Sequence, residues 1–285
     1  MTDRYKSIID NFVRWGIASN KLHAALVLGS QARKNLVADE YSDLDIVMIV
    51  DEPDYFMFTD QWLHEIGLFH VSFIEDTLDG LKERRVMFDN ALDVDFILRP
   101  KDTIKAIPTE EIALLFSRGY SFLIDKIELE NELKSLSATP QEYHPMTERD
   151  FVNIVNDFWY HSVWTAKKLK RGELWTAKFC IDSYMKWKLL TIIECHARMK
   201  HGEDYDTWYN GRFLEHWAES WIIDKLSSCF AQYNRDSIQT SLLSTMALFR
   251  LIAIEVSEKL YFQYPECVDE YASGVVAKMF QENSI

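Results

Sequence analysis

The chain has 285 residues, of which 48% are hydrophobic and 14% aromatic, so it can bury one large core or two moderate ones. Its formal net charge of −14 at pH 7 argues against a nucleic-acid partner, because such partners are bound by Lys and Arg that neutralise phosphates. The same charge favours a cationic small molecule, although acidity also serves solubility alone.

The N-terminus and the cysteines indicate the compartment. Met1-Thr2-Asp3-Arg4 lacks the apolar segment of a signal peptide, and no uninterrupted apolar run approaches the roughly 18 residues of a membrane span. The cysteines are far apart and form no Cys-x-x-Cys pair, which excludes both a zinc motif and a disulfide framework: Cys180, Cys195, Cys229 and Cys267. We therefore expect a cytoplasmic protein with reduced, buried thiols and no membrane partner.

Residues 1–135 have the alternating pattern of a mixed α/β domain. Apolar residues recur at helical spacing from Tyr5 to Trp15, which predicts an opening helix that ends near Gly16. Short β-rich runs predict strands at 24–28, 44–50, 69–74 and 92–98, and helical stretches are predicted at 55–66 and 76–84.

Residues 135–145 break this pattern with two prolines and small polar residues, and we place the domain boundary there. Beyond it strand signals almost vanish, so 146–285 is predicted to be an all-α domain. Helices are expected at 150–169, 175–199, 213–233 and 238–262, the last with Asp236-Ser237 as its N-cap. The expected fold class is α+β, a mixed-sheet domain followed by a helical bundle.

The most informative stretch lies between residues 24 and 50. A buried strand leads into Gly29-Ser30, which suits a tight turn with exposed backbone N–H groups, and Asp43 and Asp45 open the next strand. Period-2 geometry puts both carboxylates on one face of that strand and Leu44, Ile46 and Met48 on the other. Either motif alone is common, but together they suit a divalent cation bound to a nucleoside triphosphate.

A third acid lies in the strand predicted at 92–98. Asp95 directly precedes Phe-Ile-Leu, and a charge in an apolar strand is costly unless it is paired or bound to a metal. Asp95 is the better candidate, and Asp93, on the same face, stays open.

This order of motifs resembles the nucleotidyltransferase superfamily, in which a Gly-Ser and an Asp-x-Asp are joined by a third carboxylate, as in DNA polymerase beta-like enzymes. The resemblance narrows to the aminoglycoside 6-adenylyltransferases, the streptomycin-modifying enzymes, over nearly the whole chain. It rests on segments of the second half that are similar to that family: Phe158-Trp159, Ala166-Lys167-Lys168-Leu169, Arg171-Gly172-Glu173-Leu174 and Ala177-Lys178.

The resemblance implies a polymerase beta-like nucleotidyltransferase domain and a helical substrate-binding domain. It implies transfer of AMP from Mg-ATP to a hydroxyl of a streptomycin-like aminoglycoside, with release of pyrophosphate and antibiotic resistance. Asp43 and Asp45 would hold Mg²⁺, and Asp95 would either bind a metal ion or accept the hydroxyl proton. The expected partners are ATP and a cationic small molecule, not nucleic acid, and the expected state is a monomer or weak homodimer.

The remaining expected contacts are of two kinds. The nucleotide would be bound by Gly29, Ser30, Arg33, Ser42 and Lys178, and the acceptor by Asp182, Trp159 and Glu173. Lys178 and Asp182 are four residues apart, so a surface ion pair on one helix face is an equally good interpretation. Arg33 is a possible phosphate contact or simply a solvated side chain.

Two other functions stay open. The protein is alternatively a nucleotidyltransferase that acts on another small molecule, or a catalytically idle nucleotide-binding module similar to an antitoxin. The three carboxylates argue against the idle module, since a non-catalytic relative has no reason to keep acids in a strand.

Overall fold

A computed structural model describes residues 3–33, 38–76, 82–103, 119–131 and 145–281. The chain forms two compact units, Met1–Glu142 and Tyr143–Ile285, here called the sheet unit and the helical unit. The predicted boundary at 135–145 lies outside the described residues except for Pro145.

The described part of the sheet unit contains six strands: β1 (Leu22–Leu28), β2 (Leu44–Val50), β3 (Phe69–Asp76), β4 (Lys82–Phe88), β5 (Leu92–Pro100) and β6 (Ser121–Asp125). They form one sheet in the order β3-β4-β5-β2-β1-β6. β2 and β5 run parallel at the centre of the sheet, and the other neighbouring strands are antiparallel.

Among the residues that the structure describes, three helices pack on one face of this sheet and supply its main core: α1 (Lys6–Ala18), α2 (Pro53–Phe58) and α3 (Gln61–Ile66). Trp62 of α3 packs edge-on against Phe96 of β5, with ring centroids 4.8 Å apart. The alternation predicted for β2 is confirmed, because Leu44, Ile46 and Met48 all belong to this core. The opposite face carries a smaller apolar cluster that includes Val47 and Ile49 of β2. Asp45, two residues before Val47, therefore lies on that second face.

β4 corrects the sequence prediction. The range 76–84 was expected to be helical, but Asp76 ends β3 and residues 82–84 begin β4, whereas residues 77–81 lie outside the described residues. The charged run Lys82-Glu83-Arg84-Arg85 suits a helix by local preference, yet tertiary contacts decide otherwise. Arg84 is buried and donates hydrogen bonds to the carbonyls of Phe56 (3.1 Å) and Thr59 (2.6 Å). β6 was also not predicted, and the helix expected at 55–66 is divided into α2 and α3.

The helical unit is all-α, and the α+β class predicted from the sequence is confirmed. The range 174–201 is helical throughout but contains a π-helical segment at Cys180–Tyr184, which separates the α-helix Leu174–Phe179 from the α-helix Met185–His201. The helix expected at 213–233 is instead two short helices and a 3₁₀ turn that ends at Cys229, and the last helix was not predicted. The helices are α4 (Glu148–Lys170), α5 (Leu174–Phe179), α6 (Met185–His201), α7 (Leu214–Trp217), α8 (Ser220–Leu226), α9 (Arg235–Leu260) and α10 (Glu266–Gln281).

Helix α9 forms the middle of the helical core. Its N-cap is Asn234, whose side chain accepts a hydrogen bond from the Ser237 N–H at 2.9 Å, so the predicted Asp236-Ser237 cap is wrong by two residues. α9 is long enough and, with a mean hydropathy of 1.4, apolar enough to cross a membrane. It was not identified as such a helix from the sequence, because its apolar residues are interrupted by polar ones. Half of that apolar window is buried inside the protein, as in a central core helix. Phe249 of α9 stacks on Phe158 of α4 at 3.6 Å.

The cysteine prediction is confirmed for three of the four thiols. Cys180, Cys195 and Cys229 are free and buried, whereas Cys267 is free but exposed near the start of α10.

Candidate active site

The parallel pairing of β2 with β5 brings the three predicted carboxylates together. Asp45 and Asp95 are direct partners in the strand register, and Asp43 precedes β2 on the same side. One carboxylate oxygen from each of Asp43, Asp45 and Asp95 lies within 4.8 Å of the others. Of the two acids on β5, Asp95 therefore joins the group, whereas Asp93 accepts a hydrogen bond from the Tyr5 hydroxyl at 3.1 Å.

The Gly-Ser turn lies directly against this group. Leu28, at the end of β1, is the register partner of Asp45, so the chain passes beside that carboxylate as it enters the 3₁₀ turn Gly29–Gln31. Gly29 has a φ of +64°, and a Cβ placed on it would lie 2.0 Å from Asp45 Oδ2. Only glycine fits this position, both for its backbone conformation and for the space it leaves to the carboxylate.

Side-chain hydrogen bonds fasten the turn to the start of β2. The Ser30 hydroxyl donates to the Asp43 carbonyl at 3.2 Å and lies 3.4 Å from Asp43 Oδ1. The buried Gln31 side chain donates to the Ser42 carbonyl at 3.4 Å. The backbone N–H of Arg33 donates to the Gly29 carbonyl at 3.2 Å and closes the turn.

Ser42 has a local partner. Its hydroxyl donates to Asp39 Oδ1 at 2.9 Å and accepts from the Asp39 N–H at the same distance. These two hydrogen bonds shape the turn before β2. The Ser42 hydroxyl can therefore bind the predicted nucleotide only if it gives up its bonds to Asp39.

The electrostatics of the group favour a cation. Burial raises the pKa of Asp95 to about 6, against the lowering effect of Arg85, and the charges of Glu83, Asp43 and Asp93 raise it further. The neighbouring carboxylates make it unfavourable for Asp95 to become negatively charged, and the same negative charges would stabilise a bound cation. Carboxylate oxygens are also the ligands that Mg²⁺ prefers, so the residues present fit a divalent cation.

Two functional neighbours were not predicted from the sequence. Arg85 of β4 is the register partner of Asp95, and its Nε lies 3.6 Å from Asp95 Oδ2. Glu83, two residues earlier, is buried and accepts a hydrogen bond from the same Nε at 2.7 Å. Glu83 and Arg85 are two residues apart, which in a strand puts them on the same face. This shared face was missed in the sequence because 76–84 was interpreted as a helix.

The other predicted residues lie in the helical unit, where Lys178 and Asp182 form an ion pair along one helix face. The second oxygen of Asp182 accepts from the Ala231 N–H at 3.3 Å. Glu173 stands at the N-cap position of α5 and forms ion pairs with Lys168 (2.8 Å) and Arg171 (2.6 Å). The hydrogen bond from Lys168 lowers the pKa of Glu173, so the carboxylate is charged.

Trp159 has a position that favours packing over the predicted contact with an acceptor. Its side chain is fully buried, and its indole N–H donates to the Tyr264 hydroxyl at 3.2 Å. The guanidinium of Arg250 lies 5.0 Å from its ring. Because a side chain without exposed surface offers nothing to a small molecule, we leave Trp159 out of the site.

Comparisons with known proteins concern the family of the chain. The model of the streptomycin adenylyltransferase family matches residues 2–277. The aminoglycoside 6-adenylyltransferase of Bacillus subtilis is 22% identical over 95% of this chain and 97% of its own length. The enzyme of the same name from Campylobacter jejuni is 23% identical over 98% of this chain and 97% of its own length.

The solved structures that align with this chain have low TM-scores. The crystal structure of an aminoglycoside 6-adenyltransferase from Bacillus subtilis aligns over 96% of this chain and 97% of that chain, with 19% identity and a TM-score of 0.47. A CCA-adding enzyme in complex with CTP aligns over 80% of this chain and 56% of its own, with 11% identity and a TM-score of 0.33.

Proposed function

Because the chain belongs to the streptomycin adenylyltransferase family of nucleotidyltransferases, we propose that it transfers AMP from Mg-ATP to a hydroxyl of a streptomycin-like aminoglycoside. Pyrophosphate is released, and the modified antibiotic loses its action, which gives resistance. The observation that carries the proposal is the group of Asp43, Asp45 and Asp95 beside the Gly29-Ser30 turn. A group of acids and a Gly-Ser turn are each common alone, and it is their contact at one end of β2 that supports the proposal.

In the proposed reaction the acceptor hydroxyl attacks the α-phosphorus of ATP in line, and the bond to pyrophosphate breaks. Asp43 and Asp45 would hold Mg²⁺, which would supply charge neutralisation for the phosphates and a template for the reacting oxygens. Ser30 and the backbone N–H groups of its turn bind the β- and γ-phosphates. Asp95 either completes the carboxylate group that would hold the metal or accepts the proton of the hydroxyl.

The helical unit supplies the remaining contacts of the proposal. Lys178 would contact the triphosphate, and Asp182, released from that ion pair, would face a guanidinium or ammonium group of the acceptor. Glu173 is a weaker candidate, because Lys168 and Arg171 already neutralise it. The net charge of −14 supports a cationic acceptor. The proposal places the reaction in the cytoplasm and needs no nucleic acid, membrane or second protomer.

The test is pyrophosphate release by the purified protein with Mg-ATP and streptomycin. Spectinomycin, kanamycin and a reaction without acceptor are the controls. Release with streptomycin alone is the expected result and fixes donor and acceptor class together. Release with none of the aminoglycosides overturns the resistance function, and a metabolite screen then separates another transferase from a module without activity.

A further inference from the structure

Arg85 connects the candidate active site to the edge of the sheet. β3, β4 and β5 are adjacent strands, and each contributes a carboxylate to the guanidinium of Arg85. The Arg85 Nε lies 2.7 Å from Glu83, 2.9 Å from Glu75 and 3.6 Å from Asp95 Oδ2. One cation therefore serves three acids, of which Asp95 also belongs to the group with Asp43 and Asp45.

The need for this cation follows from burial. Glu83 and Asp95 are both buried, and Glu83 adds repulsion to the charge on Asp95. Among the described residues, Arg85 is the cation that the structure pairs with either of them. Without it two buried carboxylates would repel each other, and the side chain of Asp95 would have no partner on the β4 side.

We propose that Arg85 is a positioning residue of the candidate active site, which holds the Asp95 carboxylate in place for cation binding beside Asp43 and Asp45. Glu83 accepts the Nε–H of Arg85 and Glu75 forms an ion pair with the same nitrogen, which fixes the guanidinium. The guanidinium charge then holds the Asp95 carboxylate across 3.6 Å. A planar guanidinium suits this task because it keeps a delocalised charge in one rigid plane, which an ammonium group does not. This inference rests on the proposed function, since it assumes that the three aspartates bind a divalent cation.

The loss of the Arg85 charge and the loss of its positioning contact are expected to change the affinity for a metal cation in opposite directions. By Coulomb's law alone, the loss of a positive charge beside Asp95 strengthens the binding of a metal cation. Loss of a positioning contact weakens metal binding instead, and partners of metal ligands typically contribute about 10- to 100-fold in affinity. The direction of the change therefore decides between the two.

The experiment measures Mn²⁺ binding to the purified full-length protein without nucleotide, from the electron paramagnetic resonance signal of free Mn²⁺. We expect Arg85→Gln to weaken binding about tenfold or more, and Arg85→Lys, which keeps the charge, to recover only part of the loss. Lys82→Gln is the matched control, since it removes a cation from the same strand whose partner is the exposed Asp76. Unchanged or tighter binding by Arg85→Gln overturns the proposal.

Two further comparisons cover an unstable Arg85→Gln variant and a failure of the proposed metal site. If Arg85→Gln is unstable by thermal unfolding, Arg85→Lys decides alone, and wild-type affinity in that variant overturns the positioning role. Asp45→Asn tests the proposed metal site itself. If Asp45→Asn leaves Mn²⁺ binding unchanged, the proposed function fails, whereas weaker binding in Asp45→Asn with unchanged binding in the Arg85 variants defeats only this inference.

Discussion

The missing Cβ of Gly29 leaves the space that the Asp45 carboxylate occupies. Gly29→Ala puts a Cβ 2.0 Å from Asp45 Oδ2 and strains a backbone with φ of +64°. Because the carboxylate must move, we expect loss of Mn²⁺ binding and of adenylyl transfer, on top of a conformational cost of about 1 kcal/mol. Mn²⁺ titration and the pyrophosphate assay measure both losses.

Gly172 offers the matched control for that prediction. It also has a positive φ (+79°), but no described heavy atom lies within 4 Å of a Cβ placed there. Gly172→Ala should therefore cost a similar conformational free energy and leave activity intact. Equal activity of the two alanine variants would show that the close approach of Gly29 to Asp45 has no functional role.

At the scale of elements, β4 depends on a side chain that is buried against α2 and the turn after it. Arg84 donates to the carbonyls of Phe56 and Thr59 and to Ser72 Oγ. We expect Arg84→Met to lower the free energy of unfolding of the sheet unit by about 2 kcal/mol, because the Thr59 carbonyl loses this donor and the Phe56 carbonyl keeps only the Trp62 indole N–H. Thermal unfolding measures the change, and the exposed ion pair removed in Lys82→Gln should cost well under 1 kcal/mol. Equal effects would contradict the assigned role.

Helix α6 carries a half-buried acid, Glu194, whose titration is expected to make stability depend on pH. Burial raises the pKa of Glu194 from 4.5 to about 7, although Arg198 opposes the shift. Between these values the folded protein keeps a proton that the unfolded chain has lost, so the free energy of unfolding falls as pH rises from about 4.5 towards 7. We expect Glu194→Gln to be more stable than wild type at pH 8, by a few degrees in Tm, and equal to it near pH 4. A parallel pH dependence of Tm in both proteins contradicts this prediction.

The elements that could be predicted are those whose local pattern agrees with their tertiary environment. β2 alternates buried apolar residues with Asp43 and Asp45, so both its extent and its acidic face follow from the sequence. β4 could not be predicted, since Arg84 and Glu83 are buried charges that only distant partners stabilise. For the same reason Arg85 was missed as a neighbour of Asp95, because strand order joins residues 85 and 95 and local sequence does not.

At the scale of the whole molecule, the two units divide the predicted chemistry. The sheet unit holds the carboxylate group and the Gly-Ser turn, and the helical unit holds the Lys178–Asp182 pair. Periodicity predicted this division into a mixed sheet and a helical bundle. The segmental resemblance in the second half predicted the family, to which the match over residues 2–277 assigns the chain.

The measurement that tests the central claim most directly follows AMP from α-labelled ATP into streptomycin, for wild type and Asp45→Asn side by side. The account predicts label in the antibiotic and equimolar pyrophosphate with wild type. For Asp45→Asn it predicts a loss of at least several hundredfold in rate, or about 4 kcal/mol of transition-state stabilisation. Circular dichroism of the variant should show the wild-type fold. Label transfer by Asp45→Asn at the wild-type rate would contradict the account, because the carboxylate group would then have no part in the reaction.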